Sequence, residues 1–142
     1  MVDAERVGVR LDRLEHLIER LDAIRERGEP AYLADEGLRA MTERWLQLAI
    51  QTCIDIGAQL VSELSIDPPT DYAGVFHALA ESGALDPALA SRLALAARQR
   101  NILVHLYLDI DDREVFAALG RLDDLRQFGA AAQELADRPN PG

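Results

Sequence analysis

Leu38-Arg39-Ala40-Met41-Thr42-Glu43-Arg44-Trp45-Leu46-Gln47-Leu48-Ala49-Ile50-Gln51-Thr52-Cys53-Ile54-Asp55-Ile56-Gly57-Ala58-Gln59-Leu60-Val61-Ser62-Glu63-Leu64 is the stretch that decides the fold. It is long and free of proline, and its apolar residues recur at helical spacing on more than one side. Met41, Trp45 and Leu48 form one stripe; Leu46, Ile50, Ile54 and Val61 form another. A helix apolar on two sides is buried on two sides. Its own bundle supplies one cover, and a partner subunit is the candidate for the second.

Working outward, Val7, Leu11, Leu14, Ile18 and Leu21 predict an amphipathic helix over about 4–27, ended by Gly28-Glu29-Pro30. A short helical turn fits at 31–36. After the long helix, Asp67-Pro68-Pro69-Thr70 breaks the chain. Asp71 can cap a short helix with Tyr72, Val75, Phe76 and Leu79 on one face, and Gly83 stops it. Asp86-Pro87 restarts the chain as a helix over about 87–107. Asp109-Ile110-Asp111-Asp112 breaks and recaps it, and Val115, Phe116, Leu119, Leu122 and Leu125 mark a last helix that fades by Asp137. Ile102–Ile110 is rich in β-branched and aromatic residues, but the helical approach from Ala88 argues for helix. The expectation is an all-α protein: a single domain over 1–142, an up-down four- to five-helix bundle with a frayed tail from about 138.

Composition narrows the function. The formal net charge is -10, which argues against a protein that coats nucleic acid. All 15 basic residues are Arg, so Schiff-base chemistry and a lysine phosphate loop are excluded. Charges interrupt every apolar run near the N-terminus, and no stretch reaches the roughly 18 apolar residues of a membrane span. The one cysteine, Cys53, cannot form an internal disulfide and fits a reducing cytoplasm. His16-Leu17-Ile18-Glu19 lacks a second spaced ligand, so neither a metal nor another cofactor is expected.

One segment departs from the rest. Pro87 to Leu108 contains Arg92, Arg98, Arg100 and His105 but no Asp or Glu, in a chain with 25 acids. Either this helix is buried deeply enough to exclude acids, or it offers a local basic surface to phosphate. Asn101 and His105 share a face one turn apart, whereas Arg100 and His105 diverge by about 140°. Only the reach of arginine, a local distortion of the helix, or a second copy of it can bring those two groups together. The residue types suit RNA hydrolysis without a metal. Histidine can serve as base or acid near neutral pH, arginine can neutralise a charged phosphorane, and Asn101 can orient the phosphate or the imidazole. A carbonyl-bonded histidine and a carboxylate-paired arginine would look the same in sequence.

Arg100-Asn101-x-x-x-His105-x-Tyr107 resembles the motif of HEPN toxins of the HepT group. The flanks agree: Thr42–Ile50 and Cys53–Gly57 resemble that group's long central helix, and Pro69-Thr70-Asp71-Tyr72, Phe76 and Leu79-Ala80-x-x-Gly83 its approach to the motif. The resemblance spans about residues 38 to 128. It implies a homodimeric, metal-independent endoribonuclease toxin of a type VII-like toxin–antitoxin pair. Its partner would be a minimal nucleotidyltransferase antitoxin, in a hetero-oligomer. Arg100 and His105 would be catalytic, Asn101 would assist, and Tyr107 would accept AMP from the antitoxin. Leu106 departs from the polar residue common at that position. The alternative is a non-catalytic helical partner, or nucleotide-binding subunit, of a nucleotidyltransferase.

Overall fold

The computed structural model describes residues 1–105, 108 and 110–138. Five aspartates start five helices. Asp3 caps α1 (Ala4–Arg27) by accepting from the Arg6 N–H. Asp35 caps α3 (Glu36–Glu63) through the Leu38 N–H, and Asp71 caps α4 (Tyr72–Glu81) through the Gly74 N–H. Asp86 accepts from the Leu89 N–H at the start of α5 (Pro87–His105). Asp111 accepts from the Arg113 N–H at α6 (Asp112–Ala118). Each such cap is worth about 1 kcal/mol. Part of the acid surplus is therefore helix punctuation rather than a repulsive coat. The short α2 (Glu29–Ala34) and α7 (Leu122–Asp137) complete an all-helical bundle in which no strand occurs among the described residues.

The long central helix is the axis of the core. Leu46, Ala49, Ile50, Cys53, Ile54, Ile56, Leu60 and Val61 of α3 are all buried. Val7, Leu14, Leu17, Ile18 and Leu21 of α1 cover one flank, and Leu122, Leu125, Phe128 and Ala132 of α7 another. Gly57 marks the closest approach of α3 to α4, since a Cβ there would stand 2.6 Å from Val75 Cγ1. The Met41–Trp45–Leu48 stripe of α3 behaves differently from the Leu46–Ile50–Ile54–Val61 stripe. Met41 is 45 % exposed, while Trp45 is half-buried under the Arg20 guanidinium, 5.4 Å from its ring centre. Within one chain, α3 is thus fully buried on one side only.

Most expected boundaries hold to within two residues. The last helix does not run through: it divides into α6, a 3-10 turn at Leu119–Arg121, and α7. The short turn expected at 31–36 is α2, which begins earlier, at Glu29. The expected helix over 87–107 is observed to His105; Leu106, Tyr107 and the tail from Pro139 lie outside the described residues.

Candidate active site on the exposed end of α5

Helix α5 changes character along its length. Leu89, Ala90, Leu93, Ala94 and Ala97 are buried, and no residue from Arg98 to His105 is. Burial therefore does not explain why the second half lacks acids. It is a half-exposed, cationic projection. Arg92, on the packed half, is neutralised by Asp124 at 2.8 Å. Among the described residues, neither Arg98 nor Arg100 meets a carboxylate within ion-pair range.

Asn101 and His105 come together as their spacing requires. Both line an open depression of about 510 Å³ that is closed on its far side by Thr70, Asp71 and Tyr72. The Pro68-Pro69 break and the Asp71 cap hold this wall in place: the Asp71 carboxylate is fixed on the Gly74 N–H at 2.7 Å. Arg100 does not line the depression. Its guanidinium lies over the Tyr72 ring, 5.2 Å from the centroid, and Nη1 donates to Asn101 Oδ1 at 3.3 Å. Its Nε is buried without a hydrogen-bond partner. The reach of arginine thus brings its charge to the rim of the Asn101–His105 hollow within one chain, despite the divergent directions of the two Cβ atoms. Tyr107 falls outside the described residues.

Tyr72 is the site residue that sequence reasoning missed. Its place before Val75, Phe76 and Leu79 suggested a core residue. Those three are buried, with Phe76 edge-on to Phe128 at 5.4 Å, but Tyr72 is 44 % exposed. A residue in the first turn of a short helix can share the apolar stripe and still overhang the end of the core. The signal available was its position directly after the capping aspartate.

Other ionisable groups stand apart from this chemistry. Complete burial pushes the Cys53 thiol far up, which suits packing and not nucleophilic attack. Burial, helped by Asp112 and partly offset by Arg39, raises the Glu43 carboxyl. Burial likewise holds Tyr32, whose hydroxyl has no partner, in its neutral form. Asp55 is exposed and accepts from Gln51 at 2.8 Å.

The chain is thus an all-helical bundle that carries an Asn–His hollow with an arginine at its rim. The match to known proteins makes this specific: residues 14–132 fit the family model described as "Ribonuclease HepT-like". The chain belongs to this family, the one that the Arg100–Tyr107 motif resembled. It is 32% identical over 113 residues to the "tRNA nuclease HepT" of Aphanizomenon flos-aquae, covering 80% of this chain and 77% of that one. Its fold matches a tri-AMPylated Shewanella oneidensis HEPN toxin solved in complex with an MNT antitoxin, with TM-score 0.85 and 22% identity over 94% of this chain and 99% of that one. It also matches YutE of Bacillus subtilis, a cytosolic protein of unknown function, with TM-score 0.82 and 18% identity over 94% and 90% of the two chains.

Proposed function

We propose that this chain is the toxin of a toxin–antitoxin pair: an endoribonuclease that needs no metal, works as a homodimer, and is silenced by AMP transfer to Tyr107. The observation that carries this reading is the Asn101–His105 hollow with the Arg100 guanidinium at its rim, on a cationic helix end. His105 takes the proton of a ribose 2′-hydroxyl, the freed oxygen attacks phosphorus, and the bond to the 5′-oxygen breaks. The leaving oxygen collects a proton, from the imidazolium or from its counterpart in a second subunit. Arg100 neutralises the charge that builds on the phosphorane, and Asn101 orients it.

Leu95 and Ile102 support the dimer. They are 62 % and 40 % exposed and border a groove of about 450 Å³ shared with Arg98 and Arg121. A second copy packing its own α5 there covers this apolar surface and sets two motif ends in one cleft. The names of the relatives support the pairing with a nucleotidyltransferase antitoxin. In the transfer, the Tyr107 oxygen bonds to the α-phosphorus of ATP and pyrophosphate leaves. The added negative charge then competes with RNA for Arg100. No helix among the described residues is long and apolar enough to cross a membrane, and we place the protein in the cytoplasm with its RNA and partner.

The test is cleavage of RNA by the purified protein in a chelating buffer. Wild type cuts; Arg100→Ala and His105→Ala do not. Activity that survives both changes, or that needs an added divalent ion, overturns the reading. Intact mass of the protein made together with a minimal nucleotidyltransferase antitoxin reads the modification, and Tyr107→Phe abolishes the added AMP.

A further inference from the structure

We propose that Tyr72 is the stacking platform for a nucleobase beside the bond being cut, and that Asp55 selects a base with an amino-bearing edge. This rests on the ribonuclease reading above. Tyr72, Asp71 and Thr70 line two hollows at once. The first is the depression with Asn101 and His105. The second, of about 550 Å³, lies between α3 and the 64–72 connection; its walls include Ile54, Val61, Ile66 and Pro69, and its polar groups include Gln51 and Asp55. The phenol ring is thus the partition between a site for phosphate chemistry and an apolar slot.

The two hollows differ in charge in the way that the two ends of a nucleotide differ. Arg100 stands at the rim of the first, where a phosphate belongs. The second carries the exposed carboxylate of Asp55, which repels phosphate but accepts hydrogen bonds from a base. Asp71, common to both, has its Oδ1 committed to the Gly74 N–H. Gln51 Nε2 gives one of its two N–H groups to Asp55 Oδ1 at 2.8 Å, which fixes the carboxylate in the slot. The Asp55 carboxylate is the charged acceptor that this end of the slot offers a ligand. Guanine fits it best, with N1–H and the 2-amino group side by side. Uracil, whose single N–H lies between two carbonyls, fits it worst.

An aromatic ring nearly half exposed beside a phosphate site is the usual equipment for holding an unstacked base. Arg100 occupies part of the Tyr72 ring, so the same residue aligns the cation and the base. A nucleotide that straddles the partition has its phosphate on one side and its base on the other.

The experiment measures KM and kcat of the full-length protein on short single-stranded RNAs that differ only in the two bases flanking the cut. Tyr72→Leu raises KM by about 5- to 150-fold, the range of one base–aromatic stack, and Tyr72→Phe restores it. Asp55→Asn leaves Arg100 and His105 in place and flattens the preference in kcat/KM for guanine over uracil. If wild type cleaves but Tyr72→Leu keeps its KM, the stacking platform is wrong. If the base preference survives Asp55→Asn, or no preference exists, the reading of the slot is wrong. If wild type cleaves no RNA, the ribonuclease reading fails first and this inference falls with it.

Discussion

The two halves of α5 obey different rules. From Leu89 to Ala97 the helix buries leucines and alanines at helical spacing, and its one early arginine, Arg92, is paired with Asp124. From Arg98 to His105 no residue is buried as a whole, and Arg100 is held by an aromatic ring and an amide, with no carboxylate in ion-pair range among the described residues. The first half makes the fold and the second half uses it. A cation left without a counter-charge costs stability and keeps its field for a ligand. The contrast is therefore the same statement as the functional assignment, made in energies.

Substitutions at the two ends should separate these roles. The largest effect expected is His105→Ala: cleavage falls at least about 100-fold, as for loss of a general acid–base group, while the thermal midpoint stays within a degree or two because the side chain is exposed. Equal losses in activity and midpoint would erase the distinction between the halves. Leu93→Ala should do the reverse. The side chain is 1% exposed, so its removal costs about 2–5 kcal/mol. Urea or thermal unfolding reads that loss, and kcat measured well below the midpoint stays near wild type. Asp86→Ala removes the cap on the packed end and costs about 1 kcal/mol with no change in KM. An effect on KM there would show that the two halves are mechanically coupled.

The smallest effect lies away from α5. Folding raises the Glu43 carboxyl through burial and through Asp112, against the pull of Arg39. The neutral form is therefore favoured in the native state. The stability this gives is complete below the ordinary carboxylate range and is lost as pH rises through the raised value. At neutral pH the charge is a burden, and Glu43→Gln should raise the melting temperature slightly. That gain should shrink as the pH is lowered into the carboxylate range; a gain independent of pH would assign it to packing.

The helix starts after Asp71, Asp86 and the 109–112 stretch were legible because aspartate before an apolar run has one dominant use, whereas Asp3 and Asp35 cap helices whose starts were read from apolar spacing alone. The break at Leu119–Arg121 was not legible. Leu119, Leu122 and Leu125 recur every three residues, a spacing that a 3-10 turn and an α-helix both satisfy on one face. Asn101 and His105 could be placed together from spacing alone. The position of Arg100 could not, because a long side chain decouples the charge from the direction of its Cβ and because its anchor, Tyr72, lies 28 residues earlier in the chain. Nor could spacing tell that the Met41–Trp45 stripe would stay partly open while the Leu46–Ile54 stripe closed.

Cys53 has one more consequence. It is the chain's only thiol, fully enclosed at the middle of α3 among the helices that pack on it. A thiol reagent in solution can reach it only when the bundle opens around the central helix. The rate of labelling is therefore a clock for that opening, built into the native sequence and requiring no added probe. It offers a direct way to learn whether a partner or a nucleotide bound at the far end of α5 slows the breathing of the whole protein.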